Sequence, residues 1–112
     1  MIKKIFAALL LVTLLCTSAF ALSNKEYGRL LRESQEFYEA DQELNQVWDE
    51  LKDELNARQF ARVKKDQAEW IKNGRDSYAK RKMRKEDYSK AEAYTEATRA
   101  RARYLREKYL DY

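Results

Sequence analysis

Gln67-Ala68-Glu69-Trp70-Ile71-Lys72-Asn73-Gly74-Arg75-Asp76 lies in the middle of the longest helix-forming stretch of the chain. Around it Phe60, Val63, Gln67, Trp70, Ile71, Gly74 and Tyr78 recur at three- and four-residue steps, which at 100° per residue places them on one helix face. Gln67 therefore points inward, where its amide needs partners. Gly74 weakens a helix by about 1 kcal/mol against alanine, and close approach of a neighbouring element is its simplest reason. Arg75 flanks the buried stripe. Asp76 comes out nearly opposite it, so it is either solvated or covered by another segment.

Outward from this stretch the pattern stays helical. Beyond the first residues there is no proline, the two glycines are Gly28 and Gly74, and no Asn-Gly or Pro-Gly turn divides strands. Ser23-x-x-Glu26, Asn56-x-x-Gln59 and Ser89-x-x-Glu92 each fit a capping box, in which a side chain at either end satisfies a free backbone amide. The first segment carries Leu30, Phe37, Ala40, Leu44, Val47, Trp48, Leu51 and Leu55 on one stripe, and a break near Glu39 to Asp41 is left open. The last carries Ala91, Tyr94, Thr98, Ala102, Leu105 and Tyr109, with Arg101 at the edge. The expectation is an all-α fold: an antiparallel bundle of three long helices running up, down and up, or of four if the first helix breaks.

The 112 residues allow one small domain. Residues 1–21 read as a secretory leader rather than as part of it. Lys3 and Lys4 precede an apolar run from Ile5 to Leu15, and Ala19-Phe20-Ala21 presents small residues for cleavage before Leu22. The run is too short to span a membrane, so no transmembrane segment is expected in the mature chain, residues 22–112. Cys16, the single cysteine, falls inside the leader after Leu15, which is not the small residue that lipidation requires. The expected address is the periplasm or the medium.

Composition removes several function classes. Losing Lys3 and Lys4 takes the net charge from +4 to about +2, with acidic and basic residues interspersed along the sequence. There is no histidine, and the mature chain has no cysteine, so neither a nucleophile triad nor most transition-metal sites can be assembled. No catalytic, cofactor-binding or metal-ligating residue is assigned, no cofactor is expected, and enzymatic activity is not expected. Nucleic acid is an unsuitable partner, because the one basic run, Lys80 to Lys85, lacks interleaved stacking aromatics. That run reads as a solvated helix end.

Three phrases are more specific: Asp41-x-x-Leu44-Asn45-x-x-Trp48, Gln67-x-x-Trp70-x4-Arg75-Asp76 and Thr98-x-x-Arg101-x3-Leu105. In order, spacing and residue type they resemble the LprI-type lysozyme-inhibitor domains, small exported bacterial helical proteins, over roughly residues 25 to 108. The resemblance implies an exported, non-enzymatic protein that binds a muramidase and occludes its cleft. The alternative is a general cell-envelope binding module that recognises another envelope protein and has no effect on lysozyme. Family members commonly carry two cysteines at places that fall here at Ala79 and near Ala93, so a stapled second-to-third helix connection is not implied for this chain. Asn45, Gln67, Arg75, Thr98 and Arg101 read as hydrogen-bonding ties between helices. A recognition patch of Trp70, Arg75 and Asp76 is the competing account. The oligomeric state is left open.

Overall fold

The structure is a computed structural model and is described for residues 22–110. The leader read at 1–21, with Ala19 and Ala21, lies outside those residues. Leu22 lies inside them.

Helix α1 (Asn24–Glu33) is followed by α2 (Gln35–Glu54), α3 (Ala57–Glu69), α4 (Arg75–Lys85) and α5 (Lys90–Leu105). A π-helical turn, Trp70–Gly74, joins α3 to α4 without a loop, and a second, Arg106–Leu110, extends α5. The described residues therefore form four helical rods, and no strand occurs among them.

Local chemistry places the ends. All three capping boxes form: Glu26 N–H donates to Ser23 Oγ at 3.1 Å, Gln59 N–H to Asn56 Oδ1 at 2.8 Å and Glu92 N–H to Ser89 Oγ at 3.1 Å. The break in the first segment is at Ser34, not near Glu39 to Asp41. Ser34 is extended (φ −120°, ψ 108°), ends α1, and caps α2 by accepting from Phe37 N–H at 3.2 Å. Asp87 takes φ 56° just after α4, a left-handed position that a short polar side chain tolerates, and it turns the chain into α5.

Contacts between rods fix their directions. Glu50 on α2 meets Arg106 after α5, and Glu43 lies beside Arg99 and Arg103, so α2 and α5 run parallel. Asp66 and Gln67 meet Arg101 while Asp76 meets Tyr94, so the α3–α4 rod is antiparallel to both. This is the expected up-down-up bundle, with α1 folded back over one end: Tyr27 stands edge-on to Phe37 at 5.8 Å, and Lys90 pairs with Glu26.

The core is divided in two. One cluster holds Leu44, Val47, Trp48, Leu51, Val63, Ala102 and Leu105, with Phe60 edge-on to Trp48 at 5.1 Å. The other, at the α1 end, holds Leu22, Phe37, Ala79, Ala93 and Tyr94, covered by Tyr27, Leu30, Leu31, Met83 and Tyr88.

Gly74 has its close neighbour, though from its own rod. A Cβ there would lie 2.9 Å from Trp70 Cδ1, and the indole is held between the guanidinium groups of Arg75 (5.7 Å) and Arg101 (5.4 Å). Gly74→Ala should therefore lower the melting temperature, although alanine gains about 1 kcal/mol in helix propensity. Thermal denaturation followed by circular dichroism checks this, and a rise in melting temperature would show that the indole yields freely.

Candidate functional site

On each long rod a polar stretch interrupts the apolar stripe at the same height. Asp41 stands between Phe37 and Leu44, Gln67, Arg75 and Asp76 between Val63 and Ala79, and Thr98 and Arg101 between Tyr94 and Leu105; all six are buried. They make a polar layer between the two apolar clusters. Asp76 enters it because the π-helical turn adds a residue to the rod. Arg75 N–H bonds back to Trp70 O, five residues earlier, and the rod beyond is rotated relative to a continuous α-helix. This corrects the expectation that Asp76 lies opposite the buried stripe.

The layer has two centres. In the first, Asp41 accepts from the Tyr27 hydroxyl at 2.6 Å and from the Asn45 amide at 3.4 Å. Asp76 Oδ1 accepts from the Tyr94 hydroxyl at 2.5 Å and from the Leu22 backbone N–H at 3.4 Å. Arg75 lies in the field of both carboxylates, yet its Nε and Nη2 are buried with no hydrogen-bond partner. Burial pulls the Arg75 guanidinium below its ordinary value, opposed by the charges of Asp76 and Asp41. Burial also raises the Asp41 carboxyl, against the Tyr27 and Asn45 hydrogen bonds and the Arg75 charge. It raises the Tyr94 hydroxyl too, and there the bond to Asp76 adds to the shift.

The second centre is better satisfied. Arg101 donates through Nε to Gln67 Oε1 at 2.7 Å and through Nη2 to Asp66 Oδ1 at 2.9 Å. Asp66 Oδ2 accepts from Tyr104 at 3.1 Å and from Tyr109 at 2.7 Å. The Arg101 guanidinium also faces the rings of Trp70 and Tyr104, the latter at 4.7 Å. Burial alone would raise the Asp66 carboxyl, but the bonds from Tyr109 and Arg101 and the Arg101 charge bring it below its ordinary value.

The remaining motif residues take simpler places. Leu44, Trp48 and Leu105 are core, and Thr98 donates to the Tyr94 carbonyl of its own helix at 2.7 Å. Asn45 is exposed apart from its bond to Asp41. Arg75 and Asp76 are 6% and 8% exposed, so with half-buried Trp70 they do not make a surface recognition patch. Ala79 and Ala93 are fully buried in the cluster at the α1 end.

Tyr27, Asp66, Tyr104 and Tyr109 complete the two centres; of these only Tyr109 stands out in the sequence, on the inner stripe of the last helix. A carboxylate directly before the inward-facing Gln67 was the available sign. The acidic patch Asp49-Glu50 with Asp53-Glu54, readable in the sequence, is part of a larger one. Of the nineteen acidic residues eight lie on α2 (Glu36, Glu39, Asp41, Glu43, Asp49, Glu50, Asp53 and Glu54), against Lys52 alone among the basic ones. All but Asp41 reach solvent, and Glu50 is bridged to Arg106 at 3.1 Å. Beside them a groove of ≈ 280 Å³ opens between α2 and α5, lined by Glu43, Arg99, Ala102, Arg103, Arg106 and Glu107. The surface is thus sorted by helix although the sequence looks mixed.

Asp66 gives the second centre a defined pH response. Its folded value is depressed, so its contribution is present above the ordinary carboxylate range, near pH 4, and is lost as pH falls through the folded value. Asp66→Asn should lower stability at pH 7 by about 1–3 kcal/mol, the worth of hydrogen bonds to a charged group. Urea denaturation of the two proteins checks this, and the gap between them should narrow at about pH 3. Asp41, whose raised value acts in the opposite sense, is common to both proteins and cancels in the difference.

Among the described residues no helix is long and apolar enough to cross a membrane, and no group of His, Cys, Asp and Glu could hold a metal ion. No curated protein and no solved structure matches the chain. The family described as Lysozyme inhibitor LprI does, over residues 23–105, a span that runs from the cap of α1 to the last residue of α5 and contains the six buried polar residues of the layer. The chain belongs to the LprI lysozyme-inhibitor family.

Proposed function

We propose that this exported chain binds a lysozyme through the acidic face of α2 and blocks access to its cleft. The family supports lysozyme as the partner. The observation that carries the choice of surface is the net charge of −6 among the residues of one helix that reach solvent, seven acids less Lys52, in a domain whose remainder is basic. Many lysozymes are strongly cationic, and such a face steers them in and sets their orientation even though the whole domain is slightly positive. Arg99, Arg103 and Arg106 border the α2 glutamates across the groove. An arginine is the group that the paired carboxylates of a muramidase would receive. The interaction is occlusion by complementary surface, with no chemistry performed by this chain. The motif residues of the polar layer hold the helices that present this face and are not themselves the contact.

The test is muramidase activity on cell-wall substrate with the purified chain, across a panel of lysozyme types and at low and high salt. Saturable inhibition that weakens with salt is expected. Asp49→Lys with Asp53→Lys, both at exposed positions, should slow association by about tenfold and leave the melting temperature nearly unchanged. Undiminished inhibition by this double variant would remove α2 as the surface. A folded chain that inhibits none of the lysozymes would remove the partner and favour another envelope protein.

A further inference from the structure

Leu22 is the residue that cleavage after Ala21 would place first in the exported chain, and it is not a loose end. It is 1% exposed, packed with Phe37, Ala79, Ala93 and Tyr94. Its backbone nitrogen lies 3.4 Å from Asp76 Oδ1 in a buried contact between the start of the domain and the middle of the α3–α4 rod. The Tyr94 hydroxyl reaches the same oxygen from α5.

The charges around this contact do not balance. Asp41 from α2 and Asp76 from α4 are both buried carboxylates, and Arg75 from α4 is the buried guanidinium in their field. The other buried arginine, Arg101, is committed to Asp66 and Gln67 in the second centre. Tyr27 from α1 and Tyr94 from α5 supply hydroxyl donors but no charge. At the rim, Glu26 from α1 and Lys90 from α5 neutralise each other. A peptide N–H at residue 22 brings no charge to Asp76. An α-ammonium at the same position brings one positive charge and three donors, and leaves two carboxylates against two cations.

We propose that removal of the leader after Ala21 creates a buried ion pair between the α-ammonium of Leu22 and the Asp76 carboxylate, so that the domain reaches its full stability only after it is processed. The proposal rests on the cleavage position read from Ala19-Phe20-Ala21. In that step water adds across the Ala21–Leu22 amide: the leader leaves with a carboxylate on Ala21, and the nitrogen of Leu22 leaves as an ammonium. A charge-assisted bond is shorter and stronger than the amide contact it replaces. In the continuous chain the same atoms still meet, but one carboxylate stays without its counter-charge in a largely buried site, a costly arrangement. Export and stabilisation are thereby coupled.

The test uses the full chain exported through its own leader. Intact-mass measurement of the product should place its first residue at Leu22. A second chain carries Gly-Ser inserted between Ala21 and Leu22, which moves the ammonium away, and both are also made with Asp76→Asn. The insertion should lower the melting temperature by about 4–8 °C in the natural sequence, the shift expected when one interaction of this kind is lost from a small domain. It should have little effect once Asp76 is asparagine. The ammonium is stabilised in the folded state, so the difference is full below about pH 8, the ordinary α-amino value, and vanishes as pH rises through the higher folded value. Nitrogen-15 titration of Leu22 reads that value directly and is insensitive to packing changes caused by the insertion. Should Asp76→Asn fail to fold, this titration in the natural chain decides the matter. A product beginning elsewhere than Leu22 overturns the cleavage reading, and the proposal with it. An ordinary α-amino titration in a product shown to begin at Leu22 overturns the ion pair alone.

Discussion

The bundle depends on one extra residue. Between Trp70 and Gly74 the helix is wound as a π-turn, and Arg75 N–H reaches back five residues to Trp70 O. Each residue of an α-helix advances about 100°, so one additional residue turns everything beyond it by that angle. Without it, the stripe of Val63, Gln67 and Ile71 would continue through Tyr78, and Asp76 would face away from the bundle. With it, Arg75 and Ala79 fall in line with the stripe and Asp76 turns toward Tyr94 and Leu22. Gly74 allows the Trp70 indole to lie back over the turn, where a Cβ would collide with it. The π-turn, the glycine, the tryptophan and the Arg-Asp pair are thus one device, and the rod's two halves bury different faces because of it.

That device joins two halves of a divided core. Trp70 packs against the cluster of Leu44, Val47, Trp48 and Leu51, and its ring meets a guanidinium from each centre of the polar layer. Arg101 is satisfied by Gln67, Asp66 and two aromatic rings. Arg75 is buried with two nitrogens unpaired and relies on the fields of Asp41 and Asp76. Charged groups in such a layer contribute little net stability over apolar packing, but a mis-registered alternative leaves them unpaired and is heavily penalised. With two short apolar clusters that could slide past each other, the layer is what sets the height of each helix against its neighbours.

Much of this was legible in the residues. Helix-forming composition, the three capping boxes and the apolar stripes gave the rods, their starts and most of their buried faces, because each of those is written in local spacing. Gln67 was readable as inward-facing because it sits on the stripe. Two features were not readable in that way. The break at Ser34 competes with a continuous apolar stripe, and a single serine cap is a weak sign beside it. The π-turn has no periodic signature of its own, and assuming a constant 100° step carried Asp76 to the wrong side. The partners Tyr27, Asp66 and Tyr104 belong to long-range contacts between rods, which no local pattern encodes, whereas Tyr109 lies on the apolar stripe. The acidic patch at Asp49-Glu50 and Asp53-Glu54 was legible, but only once the helix boundaries at Gln35 and Glu54 are known does its continuation through Glu36, Glu39 and Glu43 stand out from a mixed-charge chain.

That grouping is not something the fold asks for. Glu39 and Glu43, Asp49 and Asp53, and Glu50 and Glu54 are like-charged pairs one helical turn apart, an arrangement that destabilises a helix by a few tenths of a kcal/mol per pair. Asp53 and Glu54 stand at the C-terminal end of α2, where the helix dipole disfavours negative charge. Lys52 and the Arg106–Glu50 bridge offset only part of this. A helix selected for stability alone would alternate signs on its exposed face, as α5 comes closer to doing with Glu92, Glu96, Arg99 and Arg103. Unfavourable charges on exposed positions that the core does not constrain are available for an interaction outside the domain. For α2 such an interaction requires a cationic surface, and the proposed docking of a basic lysozyme rests on that complementarity.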